Sequence, residues 1–145
     1  MLRTFLASAT LVVVLVLFAR AQYPDELRTP EQVVKHHWEA FSQHDLEAVL
    51  SDYADDAIFI APNQTVQGKP ALRQMFAKYF SGGASTQTPP SFEAKITADG
   101  DVGYEHWVSN ADKPGALEGT DAFVVRHGKI LFHTVVGVHP AASQK

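Results

Sequence analysis

A chain of 145 residues that is 46% hydrophobic and 19% charged is long enough for one domain with a sizeable core and short for two. Its formal charge is −4 and its Lys and Arg residues are scattered, so it offers no basic footprint for a phosphate backbone, and nucleic acid is excluded as an expected partner. It has no cysteine, which rules out both a disulfide and a lipoprotein attachment site.

The first segment, "MLRTFLASATLVVVLVLFARA", has a basic start at Arg3, an apolar stretch from Phe5 to Phe18, and the small-x-small triplet Ala19-Arg20-Ala21. This pattern reads as a secretory signal peptide over residues 1–21, cut before Gln22, and predicts a secreted or periplasmic protein. The apolar stretch falls short of the roughly 18–20 residues that span a bilayer, which argues against the alternative of an uncleaved anchor. Residues 22–145 then form a single domain that must be stable by burial alone.

Thr29-Pro30-Glu31-Gln32 carries an N-cap, a proline at the first helical position and a glutamine placed for a capping box, and predicts a helix ending near Gln43. Val34, Trp38 and Phe41 fall on one face, with Val33 and His37 flanking them. Asp45 caps a second predicted helix whose apolar positions are Leu46, Val49, Leu50 and Tyr53. The run Ala57 to Ala61 is short and rich in Ile and Phe, hence a strand. Before it, Asp55 and Asp56 form the sort of carboxylate pair that acid–base chemistry uses, but a turn between helix and strand is expected to leave them facing water. Gly68-Lys69-Pro70 opens a third helix with Leu72, Met75, Phe76, Tyr79 and Phe80 inward, stopped by Gly82 and Gly83.

Ser81 to Ser91, "SGGASTQTPPS", reads as a loop. The period then changes to two. Phe92–Thr97, Val102–Asn110, Gly119–Arg126 and Lys129–Val138 are predicted as four antiparallel strands, turning at Ala98–Asp101 and at His127-Gly128. The fold class is α+β, with helices packed against one curved sheet. A two-residue turn at His127-Gly128 predicts the pairs Val125–Ile130, Phe123–Phe132 and Asp121–Thr134, so that Asp121, Phe123, Val125, Ile130, Phe132, Thr134 and Val136 share one face. His133, with Ala122, Val124, Leu131 and Val135, falls on the other face, which is apolar enough to suggest a dimer interface.

The phrases "FSQHDLEAVLSDYADDAIFIAPNQTVQGKPALRQMF" and "GTDAFVVRHGKILFHTVVGVHP", in this order, resemble the SnoaL-like branch of the nuclear transport factor 2-like superfamily, which also contains ketosteroid isomerase. The resemblance runs from about Thr29 to His139. It implies a cone-shaped α+β barrel, three helices packed on a strongly curved and mainly antiparallel sheet, with an apolar cavity and dimerisation through the outer sheet face. It constrains function less, because this fold hosts isomerases, cyclases, dehydratases and plain binding modules.

The isomerase branch keeps its general base at the end of the first strand, just before a proline. In this chain the matching pair is Ile60-Ala61 before Pro62, so the base position holds a methyl group. By the same resemblance His37 falls near an oxyanion-hole tyrosine, and Asp121 falls at a second oxyanion-hole acid. An acid on so apolar a wall could be held protonated and donate a hydrogen bond. That device is a known property of ketosteroid isomerase and enters by analogy. Strand parity adds a third candidate. If Trp107 points inward then so does Glu105, a costly buried acid unless it faces a ligand or His37; in the opposite parity Tyr104 and His106 point inward. Trp38, Tyr53, Phe59, Trp107, Phe123 and Phe132 are the expected cavity lining.

Seven histidines show no metal-ligand spacing, since His36 and His37 are neighbours on different helix faces, and no phosphate cradle or nucleophile motif occurs. No cofactor or metal is therefore expected. Two readings remain: an enzyme that moves a proton on a small hydrophobic molecule, an isomerase or lyase type of reaction using His37, Asp121 and Glu105, or a non-catalytic module that binds such a molecule or only dimerises. The vacancy at Ala61 favours the second, and the polar groups on apolar faces favour the first.

Overall fold

The computed structural model describes residues 27–82, 92–109 and 115–140, so the segment read as a signal peptide and most of the loop over 81–91 lie outside the described residues. Helix α1 spans Pro30–Ser42 and begins with a complete capping box: the Thr29 hydroxyl accepts from the Gln32 N–H, and the Gln32 side chain accepts from the Thr29 N–H. Helix α2, Leu46–Ser51, is capped by the Asp45 carboxylate on the Ala48 N–H. Strand β1 covers Tyr53–Ala61 and pairs with a short β2, Gln64–Gln67; helix α3 covers Lys69–Ser81. Strands β3 (Phe92–Asp99), β4 (Val102–Ser109), β5 (Leu117–Arg126) and β6 (Lys129–Pro140) complete the fold.

The strands form one six-stranded sheet in the order β2-β1-β6-β5-β4-β3. All neighbours are antiparallel except β1 and β6, which run parallel. The sheet is curved and open, with β2 and β3 as its free edges, rather than closed as a barrel. Val33 and Val34 of α1, Val49 and Leu50 of α2, and Leu72 and Phe76 of α3 are buried against Tyr53, Phe123, Val125 and Ile130. This contiguous apolar cluster supplies the main folding drive.

Three local differences from the sequence expectation bear on the site. First, β1 starts at Tyr53, so Tyr53 ends no helix, and Asp55 and Asp56 lie on the strand rather than in a turn. Both are exposed, and Asp55 reaches Lys69 Nζ at 3.0 Å. Second, α1 is rolled so that Val33, Val34, His37 and Ala40 are buried, while Trp38 and Phe41 stack on each other with ring centroids 6.1 Å apart. The roll is set by close packing at Gly103 of β4, where a Cβ would meet Val34 Cγ2 at 2.6 Å.

The third difference is a β-bulge. His127 and Gly128 both have positive φ, 49° and 68°, as a two-residue hairpin turn requires, and Arg126 pairs with Lys129 and Val125 with Ile130 as expected. The register then slips, because Val124 pairs with Phe132 and leaves Leu131 as an extra residue. A slip of one residue exchanges the faces of a strand. Beyond Leu131 it is therefore His133 and Val135 that share the inner face with Phe123 and Asp121, with Cα pairs Phe123–His133 and Asp121–Val135. Phe132, Thr134 and Val136 go to the outer face, and Val136 is exposed. The expected inner position of Phe132 and the expected outer position of His133 are both overturned by this single inserted residue.

Candidate active site

Between α1, α3 and the concave side of the sheet lies a cavity of about 520 Å³. Its walls are mainly apolar: Trp38, Phe41, Phe59, Ala61, Met75, Phe76, Tyr79, Trp107 and Val135 all contribute, and its polar groups include His37, Ser109, Asp121 and His133. A mostly apolar pocket of this size with a few convergent polar side chains suits a small organic ligand.

Four side chains form a hydrogen-bonded chain at the cavity. Trp107 Nε1 donates to Asp121 Oδ1 at 3.0 Å; Asp121 Oδ2 lies 3.0 Å from His133 Nε2; His133 Nδ1 lies 2.6 Å from Tyr53 Oη. Its direction follows from donor and acceptor capacity. The Tyr53 hydroxyl is fully buried, and burial, then Asp121 and Asp52, push its pKa well above its ordinary value, so it keeps its proton. That proton needs an acceptor, and His133 Nδ1 is the group at hand. His133 accordingly carries its own proton on Nε2 and donates it to Asp121. Asp121 thus accepts at both oxygens, from an indole and from an imidazole. In both of these bonds Asp121 is the acceptor.

The elements explain why these residues meet. Strands β4 and β5 place Trp107 opposite Gly119. The indole lies across that glycine, where a Cβ would come within 2.5 Å of Trp107 Cζ2, and so reaches Asp121 farther along the same strand. The Leu131 bulge turns His133 inward against Phe123, with ring centroids 4.2 Å apart. Tyr53 enters from β1, whose parallel pairing with β6 sets Phe59 beside His133.

Glu105 and Trp107 both point inward, which settles the parity left open by the sequence, and Tyr104 is outward and exposed. Glu105 is directly opposite Asp121 on the neighbouring strand, is 0% exposed, and neither of its carboxyl oxygens has a hydrogen-bond partner. Burial, and then the charge of Asp121, push its pKa up to about 8. It is therefore a neutral acid near pH 7. It does not line the cavity, so the expectation of a ligand-facing base at Glu105 is not met.

His37 lines the cavity from α1, and its ring is edge-on to Tyr53, Phe76, Phe123 and His133. Burial, then His133 and His36, hold its pKa well below the ordinary value, so the ring is neutral. Its Nδ1 has no hydrogen-bond partner, and Asp121 is bonded to Trp107 and His133 instead. Of the expected lining residues, Trp38, Phe59 and Trp107 are on the cavity wall; Tyr53 and Phe123 are buried behind it; Phe132 is on the opposite face of the sheet. Ala61 lines the cavity.

His133 and Asp52 were missed as inward-facing polar groups. Each is a polar residue inside an otherwise apolar or buried run, which is the usual mark of a functional or network position. The inserted residue that turns His133 inward leaves no mark in composition. Among the described residues no three His, Asp or Glu side chains converge as a metal site.

The SnoaL-like domain family matches this chain over residues 34–133. No curated protein matches it at the sequence level. Similar crystal structures include an NTF-2 like protein of unknown function from Burkholderia xenovorans, 19% identical, covering 80% of this chain and 87% of that one at a TM-score of 0.63. A second is a polyketide cyclase, so described provisionally, from Sinorhizobium meliloti, 21% identical, covering 72% and 93% at 0.58. A third is a protein of ketosteroid isomerase-like fold from Catenulispora acidiphila, in complex with trimethylamine, 17% identical, covering 76% and 87% at 0.59. At these identities the likenesses establish the fold.

Proposed function

Because the chain belongs to the SnoaL-like domain family, we propose that it binds a small hydrophobic molecule in its cavity and moves a proton on it, as an isomerase, cyclase or dehydratase does. The observation that carries this reading is the Trp107–Asp121–His133–Tyr53 chain at the wall of an apolar cavity. Asp121 lines the cavity, and its two oxygens are fixed by an indole and an imidazole N–H. Lone pairs not used by those donors are aimed at a ligand without rotational freedom to lose, which is preorganisation of a base. His133 and Tyr53 act as positioning residues: the phenol fixes the imidazole tautomer, and the imidazole holds the carboxylate. An acidic ligand C–H placed against Asp121 gives up its proton to the carboxylate, and the electron pair stays on the ligand. Return of that proton to another atom, or loss of a leaving group, completes the reaction with no cofactor required. The polyketide cyclase and isomerase-like neighbours are consistent with this class of chemistry.

The non-catalytic alternative is favoured by Ala61, where the usual base is missing from the cavity wall. The two readings separate in one experiment. Ligand retained by the purified protein is identified by mass spectrometry, then incubated with the protein in deuterium oxide. A proton-transfer enzyme exchanges a ligand C–H for deuterium, and Asp121→Asn slows that exchange by about 10²-fold or more while binding persists. Binding with no exchange in the native protein leaves only the binding module.

We further propose that the protein is exported by its N-terminal segment, and that it pairs with a second copy through the outer sheet face. The bulge redraws that face: Ile60, Val102, Tyr104 and Val136 are exposed apolar residues on it, and His133 and Val135 are no longer part of it. Sedimentation of the native protein and of Val136→Lys, which should be shifted to monomer, tests the pairing.

A further inference from the structure

Where α2 runs into β1 lies a second buried carboxylate that the proposed reaction does not use. Asp52 ends α2, is 0% exposed, and accepts from Arg28 at 2.8 Å through Oδ1. His36 Nδ1 lies 2.8 Å from Oδ2 and 3.0 Å from Oδ1, and its ring reaches solvent. Arg28 also donates to the Gly128 carbonyl at 3.1 Å, which ties the arrangement to the β5–β6 turn. On the inner side of the same carboxylate, His37 Nδ1 is buried, has no hydrogen-bond partner, and lies 4.0 Å from Asp52 Oδ2. An unpartnered ring nitrogen aimed at a buried carboxylate, on a residue that lines the cavity, calls for an account.

We infer that Asp52 and His37 form a second carboxylate–imidazole pair, in which Asp52 holds the His37 ring with its proton on Nδ1 and leaves Nε2 as a bare proton acceptor for the cavity. The electrostatics choose the tautomer. A lone pair on Nδ1 facing a carboxylate across 4.0 Å of desolvated protein is repelled, whereas an N–H dipole there is attracted. The rings packed against His37 offer that proton no free acceptor: Phe76 and Phe123 have none, and the Tyr53 and His133 side chains are bonded to each other. The 4.0 Å separation is longer than a hydrogen bond, and a side-chain shift of about 1 Å closes it, as catalytic contacts often tighten when a ligand enters.

The cavity then has a proton acceptor on each wall, Asp121 on the sheet and His37 on α1. Use of the second in the reaction rests on the proton-transfer reading above; the tautomer does not. A ligand proton taken at Nε2 leaves its electron pair on the ligand and makes an imidazolium, whose charge Asp52 offsets through Nδ1–H. When the proton passes to another ligand atom the ring returns to its neutral Nδ1–H form, with nothing consumed. His37 is the group that would touch ligand, and Asp52 is a positioning residue acting through it.

The test is imidazole nitrogen NMR of the purified, uniformly labelled protein without ligand, with His37→Gln used to assign the His37 signals. The expected result is a protonated Nδ1 and an unprotonated Nε2 in the native protein. Asp52→Asn should raise the fraction of the Nε2–H tautomer at least about fivefold, since an amide attracts the N–H dipole less than a carboxylate does. A native His37 protonated on Nε2 overturns the inference, and so does an unchanged tautomer ratio in Asp52→Asn. Should that variant fail to fold, His36→Gln removes the donor that shares Oδ2. The His37 Nδ1–H proton should then move downfield as its contact with Asp52 shortens, and an unmoved resonance counts against the pair. Because no ligand is present, these spectra stand or fall apart from the deuterium exchange assigned to Asp121.

Discussion

Glu105 on β4 and Asp121 on β5 sit side by side across one pair of strands and face the same interior, yet they are built into opposite states. Asp121 has two N–H donors on its oxygens, while Glu105, one strand closer to the sheet edge, has none. Two carboxyl groups so close cannot both ionise cheaply, and only one of them is given donors. The donors are placed at the cavity, and the neighbouring acid is left neutral inside the core. Environment rather than residue type separates a group fit to accept a proton from one that is merely buried, the pattern by which acid and base roles divide between paired carboxyls.

That contrast breaks most severely at Asp121 itself. Asp121→Ala strands the buried His133 and part-buried Trp107 N–H groups, and an orphaned donor costs about 1–3 kcal/mol each, so a loss of about 2–6 kcal/mol is expected in urea unfolding. It should also lower the Glu105 pKa, because one of the two causes that raise it is removed.

Glu105 gives the next largest effect, of the opposite sign. Its folded pKa is raised from 4.5 to about 8, so below 4.5 both folded and unfolded chains hold the proton and nothing is lost. Between 4.5 and about 8 the unfolded chain releases the proton and the folded chain keeps it, so native stability falls steadily as pH rises across that window. Glu105→Gln cannot titrate, and should be more stable than the native protein by about 4 kcal/mol at pH 8, with the difference shrinking to near zero at pH 4. Unfolding curves at several pH values check it; a difference that does not vary with pH would mean that Glu105 is ionised in the fold.

Gly119 sharpens the same comparison from the Trp107 side. A methyl group at this position meets the indole at 2.5 Å, so Gly119→Ala must push Trp107 off Asp121, at a cost of about 1–3 kcal/mol for overpacking. A change in Trp fluorescence together with a smaller loss than in Asp121→Ala is expected. This glycine also shows where sequence reading stops. The capping box at Thr29, the Asp45 cap, the period-two strands and the His127-Gly128 turn are local patterns, and local patterns are what set elements, so the α+β architecture was legible. Asp121 was legible too, as one acid in an apolar strand. The partners of Asp121 were not, because a bulge at Leu131 has no composition of its own, and yet it exchanges His133 for Phe132 on the inner face. The same holds for the roll of α1, which depends on a contact between Val34 and Gly103, far apart in sequence.

The smallest effect is expected at Tyr53, and it is the most diagnostic of the chain's direction. Tyr53→Phe keeps the ring in the core and removes only the hydroxyl that donates to His133 Nδ1. One hydrogen bond is lost and one imidazole nitrogen is left bare, for a cost of about 1 kcal/mol in unfolding. If the phenol fixes the tautomer, its removal lets the His133 proton move to Nδ1 in part of the population, which withdraws a donor from Asp121. Deuterium exchange on the retained ligand should then slow by about 10-fold, well short of the loss in Asp121→Asn, with the ligand still bound. An exchange rate that does not change in Tyr53→Phe would mean that Asp121 is held by Trp107 and His133 without help from the phenol, and the functional chain would end at the imidazole.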